Sequence, residues 1–423
     1  MPAPDQQFPT GKLDALVERV WTPSPDSPVS VTAGPPPPGH HMVEQYAVVP
    51  DLRRARYLVP LGSPRAATAS LWTYNSMRAP VRRAGEAALS ALFRTRTTAQ
   101  LFRHRIVVSI DSRVPTTEYG DWLVLDRLAA ELDDPRLFAC LAVRRVQPNS
   151  KPMLELYDDH GRARGFAKLG WSEGTKKLVR SEFEALTEVR NSIRGIIVPD
   201  PLCHGSFGER EYSVIAPLPT GLRHSLSDPL AAPEAPLAVT RSAPVSRRPL
   251  AGSPYATRLR ETLTATSTEA PAVSRELGDW LRRLEQVTVP LCFGRWHGDW
   301  VPHNLGKAGP RLAAWDWEHS HSDTPVGFDA LHWHYQRGLA DGGLEKAVSA
   351  LDRAAAGLGT HDVPAPARPL TASLYLLEMF LRTTVLAVGG GGWNSRVYPA
   401  MRRVATARDQ ESTNSTPNSS GAV

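Results

Sequence analysis

Residues 293–335, FGRWHGDWVPHNLGKAGPRLAAWDWEHSHSDTPVGFDALHWHY, constrain this chain more than any other stretch. Pro302 has no N–H to give to a ladder or helix, and it disfavours helical geometry at Val301. Asp299 and Asn304 therefore sit on a loop. After Asn304 the chain reads Leu-Gly-Lys, then a Gly309-Pro310 turn signal, then Leu312-Ala-Ala-Trp-Asp-Trp. That pattern predicts a short β-hairpin. A hairpin reverses the chain, so Asp316 at its far end returns beside Asn304 and Asp299.

Three oxygen-bearing side chains converging from a loop and a strand end suit a hard cation. Mg²⁺ accepts one or two protein oxygens, keeps several waters and takes its remaining ligands from substrate phosphates. A carboxylate left over beside such an ion can accept a proton from an attacking hydroxyl. Asp-x₄-Asn followed by an Asp in a hairpin is the arrangement of a phosphoryl-transfer catalytic loop. On these residues, HGDWVPHN…WDWE resembles the HGDxxxxN…(D/E) signature of the aminoglycoside phosphotransferase and choline kinase family of small-molecule kinases.

The resemblance covers roughly residues 141–400. It implies an α+β, bilobal protein-kinase-like fold, with a small antiparallel β-sheet lobe and a mainly helical lobe. It further implies ATP and Mg²⁺, with Asp299 as the base or hydroxyl-orienting residue and Asn304 and Asp316 as the magnesium ligands. His297 would hold the loop. Asp329 precedes Ala330-Leu331-His332-Trp333 and is expected to N-cap the next helix. His319, His321, His332 and His334 lack Cys or carboxylate partners at zinc-site spacing, so they are expected as surface or pocket-lining histidines.

At 423 residues the chain has room for two or three domains. Its 38 prolines are about twice the usual share, and they cluster, which points to disordered joints. The net charge of +6 suits a polyanionic nucleotide as well as nucleic acid. The arginines are scattered rather than striped among aromatics, which argues against nucleic acid. Cys140, Cys203 and Cys292 are far apart and odd in number, so no disulfide framework is expected and a reducing cytoplasm fits. The first residues hold no apolar run of signal-peptide length. The most apolar stretch, Leu374 to Gly389, carries Glu378 and Arg382 and reads as a buried helix too short for a bilayer.

In chain order, residues 1–42 are expected as a disordered Pro-rich N-terminus. Residues 43–140 read as an accessory mixed α/β domain, with strands at YLVPLGS and IVVSID and helices at Ala66–Tyr74, Val81–Phe93 and DWLVLDRLAAEL. Residues 141–219 read as the small lobe, an antiparallel meander with turns at Pro148-Asn149 and Asp158–Gly161. Lys168 lies mid-strand in GFAKLGW. The next segment, Thr175 to Arg190, shows a 3.6-residue apolar period through Leu178, Val179, Ala185, Leu186 and Val189. Glu182 falls on that apolar face, whereas Glu184 and Glu188 fall opposite. An inward carboxylate needs a partner, and Lys168 is the obvious one.

No G-x-G-x-x-G precedes Lys168. The turn that would cover phosphates offers only Pro148-Asn149-Ser150-Lys151, with Ser150 and Lys151 as possible substitutes for glycine-loop amides. EREYSVIAPLPTGL runs from a strand into a Pro-broken linker, and by the resemblance Ala216 to Leu218 form the hinge that holds adenine. Residues 220–405 are expected as the large lobe with a flexible insertion at 227–254, and 406–423 as a disordered tail.

Together these readings imply a cytoplasmic, ATP- and Mg-dependent phosphotransferase. Its acceptor would be a small-molecule hydroxyl on an aminoglycoside, sugar, sugar-bearing natural product or amino alcohol, and neither nucleic acid nor membrane would be a partner. Lys168 and Glu182 would serve the nucleotide phosphates, Ala216 and Leu218 the base. The alternative is a catalytically silent, kinase-like nucleotide-binding or scaffold protein, which the missing glycine loop favours and the intact Asp299, Asn304 and Asp316 oppose.

Overall fold

The computed structural model describes residues 11–21, 27–73, 103–144 and 149–391, together with 401 and 404. The helix expected at Val81–Phe93 and the tail at 406–423 lie outside these residues. The chain is an α+β protein of two compact units. The first is drawn from residues 1–187, 198–224 and 307–310, the second from 188–197, 225–306 and 311–423.

The first unit is organised by one antiparallel sheet of nine strands. In chain order these are β1 (Val29–Thr32), β2 (His40–Val49), β3 (Tyr57–Pro60), β4 (Arg105–Asp111), β5 (Phe138–Ala142), β6 (Met153–Tyr157), β7 (Ala163–Gly170), β8 (Pro201–Phe207) and β9 (Arg210–Ile215). Across the sheet the order is β1-β4-β2-β3-β5-β6-β7-β9-β8. β7 shows how the sequence selects a face. Ala167 and Leu169 are buried on one side, and the period of two sends Lys168 to the other.

Helices α1 (Gly11–Val20), α2 (Pro64–Thr73), α3 (Val124–Glu131) and α4 (Glu173–Ser192) accompany the sheet. The start of α4 carries a reciprocal cap. Thr175 Oγ1 accepts from the Ser172 amide at 2.8 Å, and Ser172 Oγ accepts from the Thr175 amide at 3.3 Å.

Two boundaries differ from the sequence expectation. Residues 43–140 are not a separate accessory domain, because β3 pairs β5 and β5 pairs β6, so the edge expected at 140/141 runs through a strand in mid-sheet. Nor are residues 1–42 uniformly without structure. Leu13 and Val20 of α1 are fully buried, and β1 pairs β4 from Val29↔Ile110 to Thr32↔Val107. An edge strand's partner lies about 80 residues away in sequence here, and local composition carries no trace of it.

The second unit is mainly helical: α5 (Glu234–Thr240), α6 (Pro254–Thr266), α7 (Pro271–Glu285), α8 (Phe328–Gly357) and α9 (Arg368–Leu386). A three-stranded antiparallel sheet joins them, made of β10 (Ser246–Arg248), β11 (Leu291–Trp296) and β14 (His321–Pro325), with β11 central. Strands β12 (Leu305–Ala308) and β13 (Arg311–Ala314) flank the Gly309-Pro310 turn. The segment 227–254 is a built part of this unit rather than a flexible insertion. It supplies α5 and β10, and a Cβ on Gly294 of β11 would lie 2.7 Å from Thr240 Cγ2, so strand and helix end meet at a glycine.

The core of the second unit gathers Leu259, Leu277, Trp280, Phe293, Leu331, Leu374, Leu377 and Phe380. The helical stretch around α9 is longer than Leu374 to Gly389. Ala365–Gly390, 26 residues, is long and apolar enough to cross a bilayer by length and composition alone. Its middle is nonetheless spent inside the fold, with Leu374, Tyr375, Leu376 and Leu377 all fully buried, whereas Val385 and Leu386 near its end are exposed.

Candidate active site

β11 delivers the chain to the HGD turn. Gly298 sits at φ +87°, and a Cβ there would lie 2.2 Å from the His319 carbonyl oxygen, so both conformation and close approach demand glycine. The preceding imidazole holds the turn from inside. His297 is fully buried, and its Nδ1 accepts from the Asp299 amide at 3.2 Å. Its Nε2 must then carry the proton and donate to the Trp315 carbonyl at 3.1 Å. Burial pushes its pKa down to about 4, so the ring is neutral at physiological pH. Its ring packs at a tilt against Trp317, centroids 4.5 Å apart.

Asp329 does not cap α8, as the sequence suggested. The N-cap is Gly327, and Asp329 reaches back into the turn. Its Oδ2 accepts from the His297 amide at 2.8 Å and its Oδ1 from the Gly298 amide at 3.1 Å. Burial pushes its pKa up to about 7 against the pull of those amides and of Arg382. On the opposite side of the turn, Arg382 Nη1 donates to the Gly298 carbonyl at 2.8 Å. Its guanidinium lies 4.4 Å over the Trp296 ring. Arg382 is itself anchored beside Glu378, which accepts from Arg258 Nη2 at 2.8 Å and Tyr255 Oη at 3.2 Å. Burial opposes charge on Glu378, but the two arginines hold its pKa down to about 2.

With the backbone so clamped, the Asp299 carboxylate is fixed by two donors. Asn304 Nδ2 donates to Oδ2 at 2.8 Å and to the Asp299 carbonyl at 3.1 Å. His332 Nε2 donates to Oδ1 at 3.0 Å. Burial works against the charge, yet the His332 bond and the neighbouring imidazoles hold the carboxyl well below the usual range. The Asp299 side chain keeps 27% of its surface exposed, so an ionised oxygen still meets solvent or a substrate.

The hairpin logic places Asp316. The Trp315 amide donates to the Asn304 carbonyl at 3.1 Å, which brings the end of β13 back to the loop. Asp316 then takes a left-handed φ of +70°, a conformation that Asp tolerates better than most residues. Because both hydrogens of Asn304 Nδ2 go to Asp299, the Asn304 amide oxygen is the end available to a cation. Among the described residues no group of three or more His, Cys, Asp or Glu forms a metal site. The donor set of one amide oxygen and one carboxylate fits Mg²⁺, which keeps waters rather than filling an all-protein cage.

In the first unit, Lys168 Nζ lies 2.8 Å from each Glu182 carboxylate oxygen. Glu182 is fully buried and the Lys168 side chain is 12% exposed. Nearby, Trp171 Nε1 donates to the Ser150 carbonyl at 2.9 Å, and Lys151 Nζ donates to the Asn149 carbonyl at 3.3 Å. In the expected hinge, the Ala216 amide is committed to the Asp200 carbonyl at 2.7 Å. Base recognition there would fall to the Ala216 carbonyl and to Leu218.

Sequence reasoning passed over His332, Tyr375 and Arg382. His332 is not pocket-lining: it is 2% exposed, and its Nδ1 meets Tyr375 Oη at 2.9 Å. A signal existed, since Asp329 and His332 are spaced i,i+3 and share one helix face. Tyr375 and Arg382 lie on a distant helix and give no local cue. The other histidines disperse, with His334 Nε2 3.1 Å from Asp228 Oδ1 and His319 Nε2 3.6 Å from Glu318.

No family model and no curated protein matches the chain. Among solved structures, it is similar to a candidate fructosamine-3-kinase from Haemophilus somnus at 10% identity and TM-score 0.43. That match covers 67% of this chain and 96% of the other. It is similar to the ADP-bound aminoglycoside phosphotransferase APH(2'')-Ib at 10% identity and TM-score 0.38, over 70% and 97%. Glucosamine kinase in complex with glucosamine, ADP and inorganic phosphate aligns at 15% identity and TM-score 0.31, over 73% and 85%. By name these are small-molecule kinases, the group that HGDWVPHN…WDWE resembles. At such scores the likeness carries no weight, and function has to be argued from the side chains themselves.

Proposed function

We propose that this protein is an ATP- and Mg²⁺-dependent phosphotransferase acting on the hydroxyl of a small molecule. The observation that carries the reading is the Asp299 carboxylate: ionised, partly exposed, and bound by an asparagine whose amide oxygen is left for a cation. Asp299 would orient the acceptor hydroxyl and take its proton as the oxygen attacks phosphorus. Asn304 and Asp316 would hold Mg²⁺, which when bound neutralises charge on the nucleotide phosphates. Lys168, paired with Glu182, would bind those phosphates, and Ala216 with Leu218 would serve the base. Positioning and charge neutralisation, rather than covalent chemistry, would supply the rate enhancement. Aminoglycosides, sugars, sugar-bearing natural products and amino alcohols all offer an acceptor of this kind.

The test is the thermal shift of wild type and Asp316→Ala with ATP, with and without Mg²⁺. A ligand that binds only the folded state raises the midpoint with the logarithm of its saturation. The expected result is a magnesium-dependent rise in wild type that Asp316→Ala loses. Absence of any nucleotide-dependent rise in wild type would overturn the reading.

A further inference from the structure

We propose that His332 and Tyr375 form a buried positioning relay that fixes the proton-accepting carboxylate of Asp299. The proposal rests on the role given to Asp299 above. An ionised carboxylate only accepts hydrogen bonds, so His332 Nε2, 3.0 Å from Oδ1, must carry a hydrogen. If the ring is neutral, Nδ1 is then a bare acceptor, and Tyr375 Oη at 2.9 Å must donate to it. Tyr375 is fully buried, and burial holds its hydroxyl well above the ordinary phenol range, so it stays a donor. The tyrosine thus supports the tautomer of His332 that holds Asp299.

The surroundings keep the ring neutral and still. Burial lowers the His332 pKa, Asp299 raises it, and Arg382 from α9 and His303 from the loop lower it further. Trp296 packs edge-on at 6.4 Å between centroids, and Tyr375 at 6.0 Å. Oδ1 is held by His332 on α8 and Oδ2 by Asn304 on the loop, so the carboxylate plane is set from two elements. The lone pairs not used in these bonds remain for the acceptor hydroxyl. His332 touches no reacting atom in this scheme: it sets the direction in which Asp299 accepts. A misplacement of about 1 Å in such a group costs on the order of 100-fold in rate.

The experiment pairs a structural and a kinetic readout on the full chain. Long-range ¹H–¹⁵N spectra of ¹⁵N-histidine protein should show, beside His297, a histidine with pyrrole-like Nε2 and pyridine-like Nδ1 whose signals vanish in His332→Gln. In Tyr375→Phe that histidine should lose its fixed tautomer or become protonated. Hydrolysis of Mg-ATP, with water as acceptor, should fall about 10- to 100-fold in turnover for His332→Ala at unchanged KM for ATP. His332→Gln, whose amide can donate to Oδ1, should recover most of that loss, and Tyr375→Phe should lose only a few-fold. Equal turnover in His332→Ala and wild type, or no recovery in a folded His332→Gln, would overturn the relay. So would an unchanged tautomer in Tyr375→Phe. If wild type hydrolyses no Mg-ATP, the phosphotransferase reading fails instead, and the spectra alone decide whether Tyr375 sets the ring.

Discussion

Two charged groups in this molecule serve the same proposed chemistry and are held in opposite ways. Lys168 and Glu182 meet in a direct contact: one lysine on β7, one carboxylate on α4, 14 residues apart, sealed by burial. Asp299 is held by a network. Asn304 and His332 take its oxygens, His297 accepts from its amide, and Asp329 and Arg382 clamp the peptide before it. The contrast shows what each task requires. A lysine that meets phosphate as a point charge needs only to be extended and charged. A carboxylate that accepts a proton from one oxygen must be aimed, and aiming takes donors from several elements.

The largest expected effect bears on the network's centre. Asp299→Asn should lower turnover by about 100- to 10,000-fold while the magnesium-dependent thermal shift with ATP persists. Steady-state kinetics beside melting curves check this. Retained turnover would remove Asp299 from its role.

The pair should break differently. Lys168→Met alone leaves Glu182 buried without its cation and should cost about 3–5 kcal/mol of stability. Lys168→Met/Glu182→Met should regain most of that in denaturant titrations, because a packed apolar pair replaces the ions, yet still lack the ATP shift. If the double variant were no more stable than the single one, Lys168–Glu182 would belong to a wider network and the contrast with Asp299 would weaken.

The smallest effect is the pH dependence that His297 adds beneath the loop. His297 has its pKa lowered in the fold from the ordinary histidine value to about 4, so the unfolded chain binds the extra proton first. Its stabilisation is complete above about pH 6.5 and is lost as pH falls toward 4, about 3 kcal/mol in all. As pH falls through that window, melting temperatures of wild type should decline relative to those of His297→Asn, because raised carboxyls such as Asp329 act alike in both. Equal slopes would mean that His297 is not buried neutral beneath the loop.

Much of this was legible in the linear chain. Pro302 put Asp299 and Asn304 on a loop, the Gly309-Pro310 signal returned Asp316, and the 3.6-residue period separated Glu182 from Glu184. Each inference spans fewer than 20 residues, the range over which backbone geometry alone relates two side chains. Asp329 marks the limit. A carboxylate at a helix start reads as a cap, and only the path of the turn shows that its two oxygens face the His297 and Gly298 amides instead. Segment 227–254 failed for a related reason: its Pro, Ala and Arg content resembles a linker, but α5 and β10 find their partners on β11.

By itself, then, the sequence determined which residues are candidates for the proposed chemistry and which short loops present them. Tertiary structure alone decided that β1 to β9 share one sheet, because strand pairing is set by hydrogen bonds between segments with no fixed spacing. It also decided that His332, Tyr375 and Arg382 stand around Asp299. Those three come from two helices, α8 and α9, and a helix's pattern tells which face is buried but not what that face meets.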